Sequence, residues 1–242
     1  MHYFRALESV IEYDKRRLSS EYYLHHGDCL DVMKMIPDES FDIIVTDPPY
    51  GISYQSNKRK PNAKFDVLKN DDNDSRFKAY REFHRLLKND SVAVIFCSWK
   101  NVAVDYLEIE QLFKIKNIIV WDKGGGGIGD LKCSLFSDYE LAIVAMKGRC
   151  QIRGKRIGSV WRFPKVNPSK MIHPTEKPIA LFSQIIEKYT DPKAVVFDPY
   201  VGSGTTGVAC ANSDRRFFGI ELDDKYYNIA SERISGAFAC AR

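Results

Sequence analysis

Short, nearly continuous apolar runs punctuate this chain: Phe41–Thr46 (FDIIVT), Val92–Cys97 (VAVIFC), Asn117–Trp121 (NIIVW), Glu140–Met146 (ELAIVAM), Ala194–Phe197 (AVVF) and Phe217–Ile220 (FFGI). They are rich in Val and Ile and too short for most helices. Continuous rather than alternating apolar runs predict strands covered on both faces. Tyr22-Tyr23-Leu24 predicts one further short strand. Between the runs, apolar residues recur at helical spacing. Phe77, Tyr80, Phe83 and Leu87 form one such series, and Ile179, Phe182, Ile186 and Tyr189 a second that starts just after Pro178. Tyr226, Ile229, Ala230 and Ile234 mark a last helix, with Asp223 or Asp224 as its cap. Strands alternating with helices predict an α/β fold with a largely parallel sheet. Two stretches interrupt the pattern. Gln55–Asp74 is polar and reads as an exposed loop, and Gly124–Gly127 reads as a turn or hinge.

Composition narrows the class. The 242 residues allow one large domain or two small ones and suffice for a full core. With 44% hydrophobic and 28% charged residues, collagen-like and wholly disordered chains are excluded. No apolar run approaches a membrane span, and the opening MHYFRALESVIEYDKRR carries charges where a secretion signal needs an apolar stretch. Six cysteines at 29, 97, 133, 150, 210 and 240 form no CxxC pair and no zinc spacing, so reduced thiols and no metal site are expected.

The formal charge of +4 hides an asymmetry. Between Lys147 and Lys170 stand eight basic residues (Lys147, Arg149, Arg153, Lys155, Arg156, Arg162, Lys165, Lys170) and no acid, which leaves the remaining chain with 28 basic and 32 acidic residues. A mildly acidic body thus carries one cationic segment, which as a charge run alone reads as a solvated face.

The acids fall where ligands bind. Asp47, Asp198 and Glu221 each follow a predicted strand, and Asp28 follows Tyr22-Tyr23-Leu24. In an open parallel sheet ligands bind beyond the carboxyl ends of the strands, so four acids would gather at one edge. Asp198-Pro-Tyr-Val-Gly202-Ser203-Gly204-Thr205-Thr-Gly207 fits GxGxxG after a strand, a turn that lets backbone approach a ligand closely. Glu221, 23 residues beyond Asp198, can accept bonds from ribose hydroxyls. That pattern suits NAD or any other adenosine-containing cofactor. Asp47-Pro48-Pro49-Tyr50 is different. Its prolines remove two N–H donors and stiffen an edge of acceptors, the Asp47 carboxylate and Pro48 carbonyl, beside an aromatic face. Such an edge complements an exocyclic amino group on a flat ring.

These residues together resemble the β group of S-adenosylmethionine-dependent DNA amino-methyltransferases, the adenine N6 and cytosine N4 family. DPPY at 47–50 looks like their catalytic motif, FDPYVGSGTTG at 197–207 like their cofactor loop, and GIELDDKYYNIASERI at 219–234 like the strand and helix that follow. HPTEKP at 173–178 and GDCLDVM at 27–33 look like two further family segments, in the β-group order. The resemblance covers roughly residues 22–235. It implies a circularly permuted Rossmann-like methyltransferase fold with helices on both faces of the sheet. It also implies a single catalytic domain over 1–242: a catalytic half at 22–146, a short basic target-recognition segment at 147–172 and a cofactor half at 173–235.

The resemblance implies roles as well. Asp47 and Pro48 would hold the target amino group, beside Pro49, and Tyr50 would stack on the flipped base. Gly202, Ser203, Gly204 and Thr205, after Asp198, would wrap the methionine part of S-adenosylmethionine. Glu221 would hold the ribose, Asp28 and Cys29 would lie near the adenine, and Lys177 with Thr175 would approach the cofactor carboxylate. Lys58, Arg59, Lys60, Arg153, Lys155 and Arg156 would meet double-stranded DNA. The implied reaction is direct methyl transfer to N6 of a flipped adenine, which needs positioning and electrostatics and no cysteine nucleophile. DPPY leans toward adenine, where SPPY would lean toward cytosine. N4 methylation of cytosine is the near alternative, a non-catalytic nucleic-acid-binding relative the distant one. Methylation of RNA or of a protein glutamine is a further reading, the latter opposed by the basic segment, and an NAD dehydrogenase would leave DPPY without a role. A homodimer, a cognate restriction endonuclease and a cytoplasmic, prokaryotic or phage setting are further expectations of the resemblance.

Overall fold

A computed structural model describes residues 20–50, 72–125, 133, 135–166 and 176–241. Among the described residues, eight strands form one sheet: β1 (Tyr22–His26), β2 (Phe41–Thr46), β3 (Leu87–Cys97), β4 (Lys114–Asp122), β5 (Tyr139–Lys147), β6 (Val160–Arg162), β7 (Val195–Asp198) and β8 (Arg216–Glu221). Their spatial order is β1-β8-β7-β2-β3-β5-β4-β6. All neighbours run parallel except β5, which is antiparallel to both β3 and β4.

The strand order reverses direction at the β7–β2 boundary. From β7 the chain continues toward β8, and from β2 toward β3. Such a switch point opens a crevice at the carboxyl ends of the strands, because the connections leave to opposite sides.

Six helices among the described residues cover the sheet. α1 (Cys29–Lys34), α2 (Asn73–Leu86) and α3 (Val102–Glu110) contribute to one apolar cluster. α4 (Ile179–Tyr189), α5 (Thr205–Asn212) and α6 (Asp224–Cys240) contribute to the other. Central strands are shared residue by residue. Ile43, Val45, Val92 and Val94 face the second cluster, while Ile44, Ala93 and Ile95 face the first. That two-sided burial is why FDIIVT and VAVIFC read as continuous apolar runs.

Capping agrees with the sequence at α6, where the Asp223 carboxylate accepts from the backbone N–H groups of Lys225 and Tyr226. Elsewhere the structure corrects the reading. The polar stretch 55–74 does not stay loop to its end. Asp72 caps α2 by accepting from Ser75 N at 2.8 Å, so Asn73 and Asp74 form its first turn. Leu87 belongs to the strand rather than the helical series, because its backbone turns extended and opens β3. The sequence pattern does not predict α3 or the three-residue β6. α3 (VAVDYLEIE) has a weak apolar face, and β6 is too short to show a period.

Candidate active site

The acids that end the parallel strands meet at the crevice. Asp47 follows β2, Asp198 ends β7 and Glu221 ends β8. A narrow cleft there is lined by Asp47, Lys177, Asp198, Tyr200, Gly202 and Ser203. Asp28 stands at the adjacent end of β1, where it caps α1 through a 2.8 Å bond from Leu30 N.

The acids have different surroundings. Asp198 is 2% exposed and its carboxylate serves three internal donors. Thr46 Oγ1 at 2.8 Å and Tyr200 N at 3.0 Å share Oδ1, and Thr206 Oγ1 donates to Oδ2 at 2.5 Å. Burial pushes this carboxyl up to about 6, against the pull of the three donors. Asp198 thereby ties the end of β2 to the start of the glycine loop. Glu221 accepts from Gly202 N at 2.7 Å and from Asp223 N at 2.8 Å, so it holds both the glycine loop and the start of α6.

The glycine loop needs its glycines. Gly202 and Gly204 adopt φ of 55° and 89°, the left-handed region. A Cβ on Gly204 would also stand 3.2 Å from Cα of Ala230 on α6. From this turn α5 starts at Thr205, with its first N–H groups aimed at the crevice edge, an arrangement that favours negative ligand groups. The loop is anchored from behind. Arg233 donates to the Ser203 carbonyl at 2.7 Å and pairs with Glu176 at 2.8 Å.

DPPY is held by donors around it. Tyr50 Oη donates to Asp47 Oδ1, and Asn101 Nδ2 donates to the Tyr50 carbonyl. Arg76, 2% exposed and paired at 2.9 Å with the fully buried Asp105, reaches the Pro49 carbonyl at 3.4 Å. Burial, and then the carboxylates of Asp47 and Glu140, push the Tyr50 phenol well up, so it remains a donor.

Lys177 is 4% exposed, and its ammonium lies against Asp47 Oδ2, 3.3 Å from Glu140 Oε2 and 4.9 Å from the centre of the Phe96 ring. Burial opposes its charge, but the two carboxylates outweigh burial and hold it above the ordinary lysine value. Lysine has three N–H donors, so the bond to Asp47 does not exhaust it and a donor is left for a further acceptor.

The structure thus gathers Asp28, Asp47, Pro48, Pro49, Tyr50, Lys177, Asp198, Gly202, Ser203, Gly204, Thr205 and Glu221 at one sheet edge. Cys29 lies beside them but is buried, and burial pushes its thiol up to about 12. Cys97 is buried at the end of β3, and burial raises its thiol as well, so neither is a nucleophile.

Two of the expected DNA contacts lie elsewhere. Arg153 forms two bonds to the Asp191 carboxylate, at 2.9 and 3.3 Å, and its N–H donates to the Lys188 carbonyl. The Lys155 carbonyl accepts from Lys188 Nζ at 2.7 Å. Lys188 lies in the last turn of α4 and Asp191 between α4 and the start of β7, at the sheet edge opposite Asp47. The basic segment leaves β5 at that far edge because β5 is antiparallel, and it returns through β6, whose Arg162 pairs with Asp122 at the near edge. Arg156 is exposed on the way between them. Lys58, Arg59, Lys60 and Thr175 lie outside the described residues.

Sequence reasoning does not single out Glu140, Asn101, Arg76 or Arg233. Glu140 reads there as the first residue of an apolar run, and the other three carry no motif.

The chain matches the DNA methylase family of N6 and N4 methyltransferases over residues 41–151 and 144–232. It is 32% identical to the DNA adenine methyltransferase YhdJ of Escherichia coli (strain K12), over 88% of this chain and 82% of that protein. The solved structure of the M1.HpyAVI–SAM complex is 27% identical and superposes with a TM-score of 0.67, covering 88% of this chain and 99% of the other. The cytosine-N4-specific PvuII DNA methyltransferase shares the fold, with a TM-score of 0.71 at 16% identity over 92% and 93% of the two chains. With its DPPY edge and glycine loop at one crevice, this chain belongs to the N6/N4 DNA methylase family.

Proposed function

We propose that this protein transfers a methyl group from S-adenosylmethionine to the exocyclic N6 of an adenine flipped out of duplex DNA. The observation that carries this reading is the meeting of Asp47-Pro48-Pro49-Tyr50 with the Gly202–Thr205 loop at the β7–β2 crevice. Aspartate at the first position of the motif and the relative named as a DNA adenine methyltransferase support adenine over cytosine.

The residues at the crevice fit the cofactor's chemistry. Gly202–Thr205 bring backbone close to a ligand, and the start of α5 with the remaining N–H of Lys177 suits a carboxylate. Glu221 retains lone-pair capacity for ribose hydroxyls beyond the backbone bonds it accepts from Gly202, Leu222 and Asp223. Asp28 and Cys29, at the end of β1, border the adenine end of the same site. Bound there, S-adenosylmethionine supplies a methyl group activated by its sulfonium.

The chain's own work is positional. The amino lone pair of adenine is delocalised into the ring. The Asp47 carboxylate and the Pro48 carbonyl accept its two hydrogens and favour a more tetrahedral nitrogen, whose lone pair is no longer shared with the ring. Arg76 and Asn101 hold the loop's other carbonyls, so these acceptors are set before the base arrives. Tyr50 offers the flipped ring its aromatic face. Methyl transfer there would join the nitrogen to the methyl carbon as the carbon–sulfur bond breaks, leaving the cofactor as its neutral thioether, and the proton then lost by the methylated nitrogen would pass to the Asp47 carboxylate or to water.

For DNA, the near edge matters. Lys100, Arg162 and Lys165 are exposed there, with Trp99 at 56% and Phe136 at 66% exposure. Cations beside exposed aromatics suit phosphates and unstacked bases. Digesting DNA treated with the protein and cofactor to nucleosides, then separating them by mass spectrometry, tests the reading. N6-methyldeoxyadenosine is expected. N4-methyldeoxycytidine would replace adenine by cytosine as the target, and no methylated base would overturn the function.

A further inference from the structure

We propose that Glu140 is a positioning residue for methyl transfer, acting through Lys177 on Asp47. The inference rests on Asp47 being the acceptor for the target amino group.

Four charges alternate along the near edge. Asp47 meets Lys177, Lys177 meets Glu140 at 3.3 Å, and Glu140 meets Lys123 at 3.5 Å. They come from separate parts of the chain. Asp47 follows β2, Lys177 precedes α4, Glu140 is the second residue of β5 and Lys123 follows β4. Glu140 is held by the sheet, in register with Trp121 of β4. Its Oε2 is buried and has no aligned hydrogen-bond donor among the described residues, and the Lys177 ammonium at 3.3 Å is its neutralising partner.

A lysine ammonium is a point charge on a flexible stem, unable to fix a direction by itself. Held by Asp47 alone, Lys177 could pivot around that carboxylate and occupy either oxygen. A second carboxylate, mounted on a strand, confines it to the Oδ2 side. Tyr50 occupies Oδ1, so both ends of the Asp47 carboxylate are determined and its remaining lone pairs point in a set direction. Glu140 need not touch base or cofactor to do this.

The test compares Glu140→Gln, Lys177→Met and the double variant, with kcat measured at saturating cofactor and DNA, cofactor affinity by calorimetry, and thermal midpoints. Glu140→Gln keeps the shape and removes the charge. Its kcat should fall about ten- to a hundredfold, the scale of a misplaced reacting group, with cofactor affinity nearly unchanged. In the Lys177→Met background it should cost nothing more, because the path is already cut. An unchanged kcat in Glu140→Gln, or losses that multiply in the double variant, would overturn the proposal. Should Glu140→Gln fail to fold, Glu140→Asp retains the charge on a shorter arm. Reduced kcat at the parent thermal midpoint supports the proposal, and full activity overturns it. Asp47→Asn is measured alongside. Undiminished transfer by that variant removes the underlying reading, whereas failure of the Glu140 coupling leaves it standing.

Discussion

Burial divides the labour among the acids of the crevice. Asp47 is partly exposed and can meet a substrate, whereas Asp198 is enclosed and spends its oxygens on Thr46, Tyr200 and Thr206. The folded value of Asp198, about 6, lies above its ordinary 3.8. The protonated form is therefore favoured by folding, and the associated stability is fully present below about pH 4 and lost as pH rises through about 6. Asp198→Asn cannot ionise, so it lacks this loss. Its denaturant midpoint, compared with the parent's, should shift in its favour between pH 4 and 6.5, and a constant difference would contradict the assignment. The strand-end acids were legible because apolar runs end visibly. Glu140 was not, for a definite reason. β5 is antiparallel, so the beginning of its run, not the end, lies at the sheet edge that holds Asp47. Run composition carries no strand direction.

Among elements, the DPPY loop depends on a contact between two helices. Arg76 of α2 and Asp105 of α3 form a buried pair that Tyr80 Oη also joins at 3.2 Å, and the same guanidinium reaches Pro49. Removing one partner of such a pair strands a buried charge. Asp105→Ala should destabilise the fold by about 3–5 kcal/mol in urea unfolding, and a loss near zero would show that the pair is not what joins α2 to α3. The amphipathic period of α2 was readable from Tyr80 and Phe83. The function of Arg76 was not, because it arises from a neighbour 29 residues away. The glycine loop was readable throughout, since left-handed turns restrict the residue type and leave a trace in the sequence.

At the scale of the whole molecule, topology places the cationic segment. Residues 147–166 begin at the far sheet edge and reach the near one only at β6, so closeness in sequence to HPTEKP did not disclose which cations share the active edge. Arg162→Ala with Lys165→Ala should weaken DNA binding and lower the salt slope by about 0.9 for each phosphate that is no longer neutralised, while Arg153→Ala with Lys155→Ala leaves the slope near the parent's. A slope that responds to the second pair instead would move the interface to the far edge. The α/β class, the strand positions and the grouping of strand-end acids were legible; the antiparallel strand and the course of the basic segment depend on contacts between distant residues and were not. The central claim is that Asp47 is the acceptor that aims the target nitrogen. Its most direct test is transfer of a labelled methyl group from S-adenosylmethionine to duplex DNA by Asp47→Ala beside the parent, with cofactor affinity measured by calorimetry on both. Transfer should be abolished while cofactor affinity is retained, and full transfer by the variant would contradict the claim.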